Sequence, residues 1–112
     1  MKIREINCDG VFFDNNSQIR GYHSQDCCED VYADFEYLRD ETELEDYDFE
    51  ETIEFENVPH AGFRFGDSRR KFFVPCYNIQ NGYYSDELTI EYYDKDDHLV
   101  TSFEAEKEDQ IY

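Results

Sequence analysis

Three successive β-strands are predicted for residues 52–77, whose sequence is TIEFENVPHAGFRFGDSRRKFFVPCY. Ile53 and Phe55 alternate with glutamates in the first of them, which is the period-2 pattern of a half-buried strand. Pro59 then ends that strand. The apolar runs on either side of the Gly-Asp-Ser turn at residues 66–68 form the second and third strands. This part of the chain therefore predicts antiparallel sheet.

The remaining segments extend the sheet in both directions. Strands are predicted for residues 2–8, 11–13, 18–23, 52–58, 61–65, 71–77, 88–93 and 99–104. Turn residues separate them, and Asn81-Gly82 is the strongest of these turn signals. The tail, residues 107–112, is expected to fray.

One short helix is predicted after the third of these strands. Asp26 is a typical N-cap residue, and Glu29 three positions later completes a capping box. The apolar residues with helical spacing are Cys28, Val31, Phe35 and Leu38. A strand that carries Val31, Ala33, Phe35 and Tyr37 on one face is the alternative. The expected fold class is α+β in a single domain, residues 1–112: one twisted antiparallel sheet with one short helix packed on it.

The composition combines strong negative charge with many aromatic residues. The chain has 112 residues, a formal net charge of -19, ten Tyr and ten Phe. Such a charge by itself favours disorder, but aromatic side chains bury large apolar areas. We therefore expect a folded domain with an acidic exterior. Direct binding to nucleic acid is not expected, because the phosphate backbone would repel this protein.

The negative charge is concentrated in residues 26–56, where fifteen acids accompany one base, Arg39, for a net charge of -14. Either this is a solvated face, or it competes with nucleic acid for a basic groove on another protein. Its centre, residues 40–51, is predicted to be a loop or solvated extension. The candidate partner-binding residues are Glu41, Glu43, Glu45, Asp46, Asp48, Glu50 and Glu51. The basic run at residues 69–71 is expected to pair with the protein's own acids.

The sequence has no signal-peptide pattern and no apolar stretch of about 18 residues, so a cytoplasmic protein without membrane contact is expected. Cysteines in that compartment normally stay reduced, so disulfides are not expected. The oligomeric state stays open.

Residues 23–29, His-Ser-Gln-Asp-Cys-Cys-Glu, place two thiols and an imidazole close together, and zinc prefers such ligands. The predicted zinc ligands are His23, Cys27, Cys28 and Cys76, with Cys8 and His60 in reserve. One alternative is that the cysteines are buried as small apolar residues. Another is a cysteine nucleophile with His23 as its base. Neighbouring carboxylates would raise the pKa of such a thiol, so an enzyme is not expected.

Two boxes in the chain resemble a family of small phage and mobile-element proteins of unknown function. They are Tyr22-His23-Ser24-Gln25-Asp26-Cys27-Cys28-Glu29-Asp30-Val31 and Asn81-Gly82-Tyr83-Tyr84-Ser85. Within that grouping, the chain is similar to small acidic, zinc-binding type II anti-CRISPR proteins. The resemblance implies an inhibitor of a type II RNA-guided nuclease in the host cytosol during phage infection, with zinc shaping the fold. A metal- or thiol-dependent small enzyme, and an acidic interaction module with other partners, are the alternatives.

Overall fold

The computed structural model of the chain describes residues 1–22, 30–80 and 87–111. These residues form mostly antiparallel sheet. The strands are β1 (Ile3–Asn7), β2 (Gly10–Phe13), β3 (Gln18–Tyr22), β4 (Asp30–Ala33), β5 (Glu54–Val58), β6 (Gly62–Gly66), β7 (Lys71–Gln80), β8 (Thr89–Tyr93), β9 (Leu99–Glu104) and β10 (Glu108–Ile111). Within the described ranges, the one helix is a 3₁₀ helix, Phe35–Asp40.

The strands form two sheets, so the prediction of one sheet is wrong. The first has the order β1-β2-β3-β8-β9, and the second has the order β10-β7-β6-β5 with β4 also paired to β7. Every described pairing is antiparallel except the parallel one between β10 and β7. The predicted strands in residues 52–77 all exist, and the third of them, β7, continues to Gln80.

Aromatic side chains fill the space between the two sheets. The ring centroids of Phe55 in β5 and Tyr92 in β8 are 5.9 Å apart, and those of Phe63 in β6 and Phe103 in β9 are 5.7 Å apart. Buried residues of both sheets form one cluster. The abundance of aromatic residues thus has the expected consequence, since these rings bury the apolar area that holds a highly charged chain folded.

The prediction of a helix from Asp26 through Leu38 is wrong, because residues 30–33 form β4. Val31 and Ala33 are buried while Tyr32 between them is 37% exposed, which is strand periodicity. β4 pairs with residues 76–79 of β7 and gains the hydrogen bonds of a sheet. The helical spacing holds only from Phe35 to Leu38, both of which lie in the six-residue 3₁₀ helix. The predicted N-cap, Asp26, lies outside the described residues.

The prediction of a frayed tail is also wrong, because residues 108–111 form β10. This strand runs parallel to the end of β7, with Glu108 opposite Tyr77. The Asn78 side-chain amide donates a hydrogen bond to Asp109 Oδ1 at 2.9 Å. Pairing with a strand that comes about thirty residues earlier is a long-range contact, and the local sequence, three polar residues followed by Ile111, does not indicate it.

Candidate functional site

The acidic segment, residues 40–51, is held against the protein core along its length. Its predicted partner-binding acids are all exposed: Glu41, Glu43, Glu45, Asp46, Asp48, Glu50 and Glu51. Leu44 and Phe49 lie between these acids and are 1% exposed. The segment is a loop, as predicted, but these buried side chains exclude a freely solvated extension.

Consecutive turns order the backbone of the first half of the acidic segment. The amide of Glu41 donates to the carbonyl of Leu38 at 3.0 Å, and the amide of Leu44 donates to the carbonyl of Glu41 at 3.2 Å. The amide of Tyr47 in turn donates to the carbonyl of Leu44 at 3.2 Å. Within these turns Leu38 and Leu44 are buried, whereas Glu41, Glu43 and Glu45 are exposed.

Phe49 is the main apolar anchor of the acidic segment. Its ring centroid lies 5.5 Å from that of Phe13 in the first sheet. It also lies 5.9 Å from that of Phe65 and 5.7 Å from that of Phe72, both in the second sheet. The ring of Tyr47 is closer still, at 4.6 Å. Because Phe49 contacts both sheets, the position of the neighbouring acids is fixed by the core of the protein.

Asp67 is a buried carboxylate that ties the acidic segment to the turn between β6 and β7. Its side chain is fully buried. Oδ1 accepts hydrogen bonds from the Tyr47 hydroxyl at 2.8 Å and from the amides of Arg69 and Arg70 at 2.9 and 3.1 Å. Oδ2 accepts from the Glu50 amide at 3.1 Å and from the Arg69 guanidinium at 3.0 Å. Five donors thus compensate the buried charge.

These bonds determine the acidity of Asp67. Burial acts to raise its pKa, but the donors from Glu50, Tyr47 and Arg69 act in the opposite direction and hold the pKa well below its usual range. Asp67 is therefore ionised at neutral pH although it has no contact with solvent. The adjacent Gly66 allows this tight turn, since a Cβ at that position would clash with the carbonyl oxygen of Arg70.

The basic run at residues 69–71 pairs with the protein's own acids, which confirms the prediction. The ion pairs are Arg69 with Asp67 and Glu50, Arg70 with Glu43, and Lys71 with Glu54. Arg69 also donates to the backbone carbonyl of Asp48 at 2.6 Å. The basic run therefore holds the acidic segment against the turn between β6 and β7.

These contacts divide the seven candidate acids into two groups. Glu43 and Glu50 have the arginine partners just described, and Asp48 accepts a 2.8 Å hydrogen bond from the α-amino group of Met1. The "open acids" are the other four, for which no ion pair is found within the described ranges: Glu41, Glu45, Asp46 and Glu51. Their charge is available to an external cation.

Of the four predicted zinc ligands, only Cys76 lies within the described residues. It is fully buried on the core face of β7 together with Phe72 and Val74, and its thiol lies 3.8 Å from the Val74 carbonyl oxygen. Burial raises the pKa of Cys76 to about 12. Its surroundings suit a buried apolar residue, and a metal held there would lie in a closed, structural site.

The zinc site as a whole stays a prediction. His23, Cys27 and Cys28, and with them the alternative of a cysteine nucleophile, lie outside the described residues. No group of three or more metal-ligating side chains is found in the parts of the chain that the structure describes. The two reserve ligands, Cys8 and His60, are both exposed.

Elemental analysis of the protein purified without added metal tests the zinc site. We expect about one zinc per chain, and loss of most of it in the Cys76→Ala variant, because a tetrahedral site needs four ligands. The Cys8→Ala variant is the matched control and should keep its zinc. Wild-type protein without zinc would contradict the site. Zinc that persists in Cys76→Ala would exclude Cys76 from the ligand set.

Sequence reasoning did not identify Asp67, Tyr47 and Phe49 as the residues that hold the candidate surface. Tyr47 and Phe49 did carry a signal, because two aromatic residues inside an acidic run indicate contact with a core. Asp67 carried none, since a Gly-Asp-Ser turn normally exposes its aspartate.

Comparisons with family models, with curated proteins and with solved structures found no match for the chain. Among the residues that the structure describes, no helix is long and apolar enough to cross a membrane.

Proposed function

We propose that the protein is an anti-CRISPR inhibitor that binds the basic nucleic-acid channel of a type II RNA-guided nuclease and blocks nucleic-acid loading. The observation that carries the proposal is the set of open acids, presented on a segment that the core holds in place. The open acids supply the negative charge that a basic channel attracts. We place this activity in the cytosol of the infected host cell.

Anchoring strengthens such a surface for a physical reason. A flexible acidic tail loses conformational freedom when it binds, and that loss weakens the affinity. The backbone of the acidic segment is already ordered by Phe49 and by the hydrogen bonds to Asp67. Less ordering is therefore needed on binding than for a disordered acidic chain.

The proposed mechanism is competition for charge. An RNA-guided nuclease holds its guide and target in a positively charged channel. A protein of net charge -19 that occupies this channel neutralises the cations that would bind phosphates, and it repels incoming nucleic acid. Inhibition is then stoichiometric. It is strongest when the inhibitor binds the nuclease before the guide RNA does. In this proposal a zinc held by His23, Cys27, Cys28 and Cys76 supports the fold and takes no part in binding.

A pair of charge-matched variants tests the proposal. Glu45→Gln/Asp46→Asn removes two open acids, whereas Asp9→Asn/Asp96→Asn removes two exposed acids elsewhere on the surface. Both variants change the net charge equally. We expect the first to weaken binding to a type II nuclease about tenfold at low salt, and the control to change it less than about threefold. Titration calorimetry measures both affinities and the stoichiometry.

Three results would contradict the proposal. One is no association with any type II nuclease at low salt, where attraction between opposite charges is strongest. Another is an equal loss of affinity in both variants, because only net charge would then matter. The third is inactivation of many nuclease molecules by one chain, which is the behaviour of an enzyme.

A further inference from the structure

Each of two arginines in the protein contacts both an aromatic ring and a carboxylate. The guanidinium carbon of Arg69 lies 5.3 Å from the ring centroid of Tyr47, and this arginine also pairs with Asp67 at 3.0 Å. The guanidinium carbon of Arg70 lies 4.7 Å from the ring centroid of Phe72, and this arginine pairs with Glu43. The ring attracts the cation through its π-electrons, and the carboxylate supplies the counter-charge.

The outer face of the second sheet presents rings of the same kind to solvent. We call Tyr32, Tyr37, Phe73 and Tyr77 the aromatic patch. The ring centroids of Tyr32 and Tyr77 are 5.4 Å apart, and those of Tyr37 and Phe73 are 6.3 Å apart. Tyr37 is 54% exposed. Phe73 and Tyr77 lie four residues apart on one face of β7, so the patch is about 13 Å long.

Carboxylates lie beside these rings. Asp34 precedes the 3₁₀ helix, and its side chain makes no capping hydrogen bond. Glu108 is exposed and lies opposite Tyr77 in the pairing of β10 with β7. The backbone amide of Asp34 donates to the carbonyl of Pro75 at 2.8 Å, which places Asp34 beside β7 between Phe73 and Tyr77. Burial, followed by the charges of Asp34 and Glu108, raises the pKa of Tyr77.

The patch combines rings with carboxylates, and the arginine that lies opposite Phe73 in the pairing of β6 with β7, Arg64, is ion-paired with Glu56 at 3.0 Å. The cation–π contacts of the described residues belong to Arg69 and Arg70, and neither involves Tyr37, Phe73 or Tyr77. We propose that the aromatic patch binds an arginine side chain of a basic partner protein, with Asp34 or Glu108 as its counter-ion. A planar guanidinium stacks on a ring while it donates to a carboxylate, which the ammonium group of lysine does less well.

The occupant is a basic protein because the net charge excludes the other candidates. A second copy of this chain would bring another -19 to the interface, and a nucleic acid would bring phosphates. The inference does not depend on the nuclease. It adds a second contact face, on β7, to the surface formed by the acidic segment.

The test compares hexa-arginine and hexa-lysine peptides by titration calorimetry at about 0.15 M salt. We expect wild-type protein to bind hexa-arginine about fivefold more tightly than hexa-lysine, which is the size of one exposed cation–π contact. The Tyr37→Leu/Tyr77→Leu variant should reduce this ratio to about one. The Tyr37→Phe/Tyr77→Phe variant keeps both rings and should keep the ratio.

The control is Glu45→Gln/Asp46→Asn. This variant should bind both peptides more weakly by the same factor and leave the ratio of the two affinities unchanged. A second measurement on wild-type protein does not depend on how the leucine variant folds. Hexa-arginine should shift the aromatic NMR signals of Tyr37 and Tyr77. Equal affinity of the two peptides for wild-type protein, an unchanged ratio in a folded leucine variant, or unshifted signals of both tyrosines would each overturn the proposal.

Discussion

Phe49→Ala is expected to reduce the free energy of unfolding by about 4 kcal/mol, the largest effect of any substitution considered for this protein. The ring of Phe49 contacts rings of both sheets, so its removal leaves a cavity where they meet. It also frees the acidic segment from its main apolar contact. Urea unfolding followed by circular dichroism measures the change in stability.

Phe73→Ala is the matched control for this prediction. Phe73 lies on the outer face of β7 and is only half-buried. The same truncation there should cost about 1 kcal/mol, because less apolar area is lost and no closed cavity forms. Equal losses in the two variants would contradict the assignment of Phe49 as the anchor. If Phe49→Ala stays folded, its acidic segment should show faster amide hydrogen exchange than in the wild type.

Asp67→Asn is expected to destabilise the protein by about 3 kcal/mol. The substitution removes the charge that compensates the Arg69 guanidinium, and an amide nitrogen would face some of the donors that Asp67 now accepts from. Asp46→Asn is the control, since Asp46 is an exposed, open acid, and it should change stability by less than about 0.5 kcal/mol. A loss as small as that of the control would show that the Asp67 network contributes little.

The same substitution should change how stability depends on pH. The pKa of Asp67 in the folded protein is held well below its value in the unfolded chain, which is about 3.9. A depressed pKa stabilises the fold fully above the unfolded value, and that stabilisation is lost as the pH falls further. The stability difference between wild type and Asp67→Asn should therefore be constant above about pH 5 and shrink below about pH 4. A difference that stays constant down to about pH 2 would contradict the assignment.

The strands predicted from alternation are largely those of the structure. Residues 54–58, 62–66, 89–93 and 99–104 are strands close to their predicted bounds. Alternation succeeds because one face of each of these strands is covered by the other sheet, so burial has a period of two along the chain. Pro59 also lies in the connection between β5 and β6, as predicted.

The pattern failed where a partner strand decided between two local conformations. Residues 31–38 fit both helical and strand spacing, and the edge of β7 selected the strand for Val31 and Ala33. Residues 108–111 carry no strand pattern at all, yet they pair with the end of β7. β7 also accounts for the error over the number of sheets, because its pairing with β4 and β10 builds a sheet separate from that of β8.

The candidate surface also has features that the sequence determines and features that only the tertiary structure determines. Composition alone establishes a folded, acidic protein, because its charge and its aromatic content are properties of the residues themselves. The pairing of the basic run with acids also follows from the sequence, because carboxylates are in large excess over basic residues and attract them. Which acids remain open depends on the tertiary structure, because Phe49 and Asp67 select the face that the segment turns to solvent. That selection arises from contacts with Phe13 and with the turn at Asp67, which are distant along the chain and adjacent only in the folded protein.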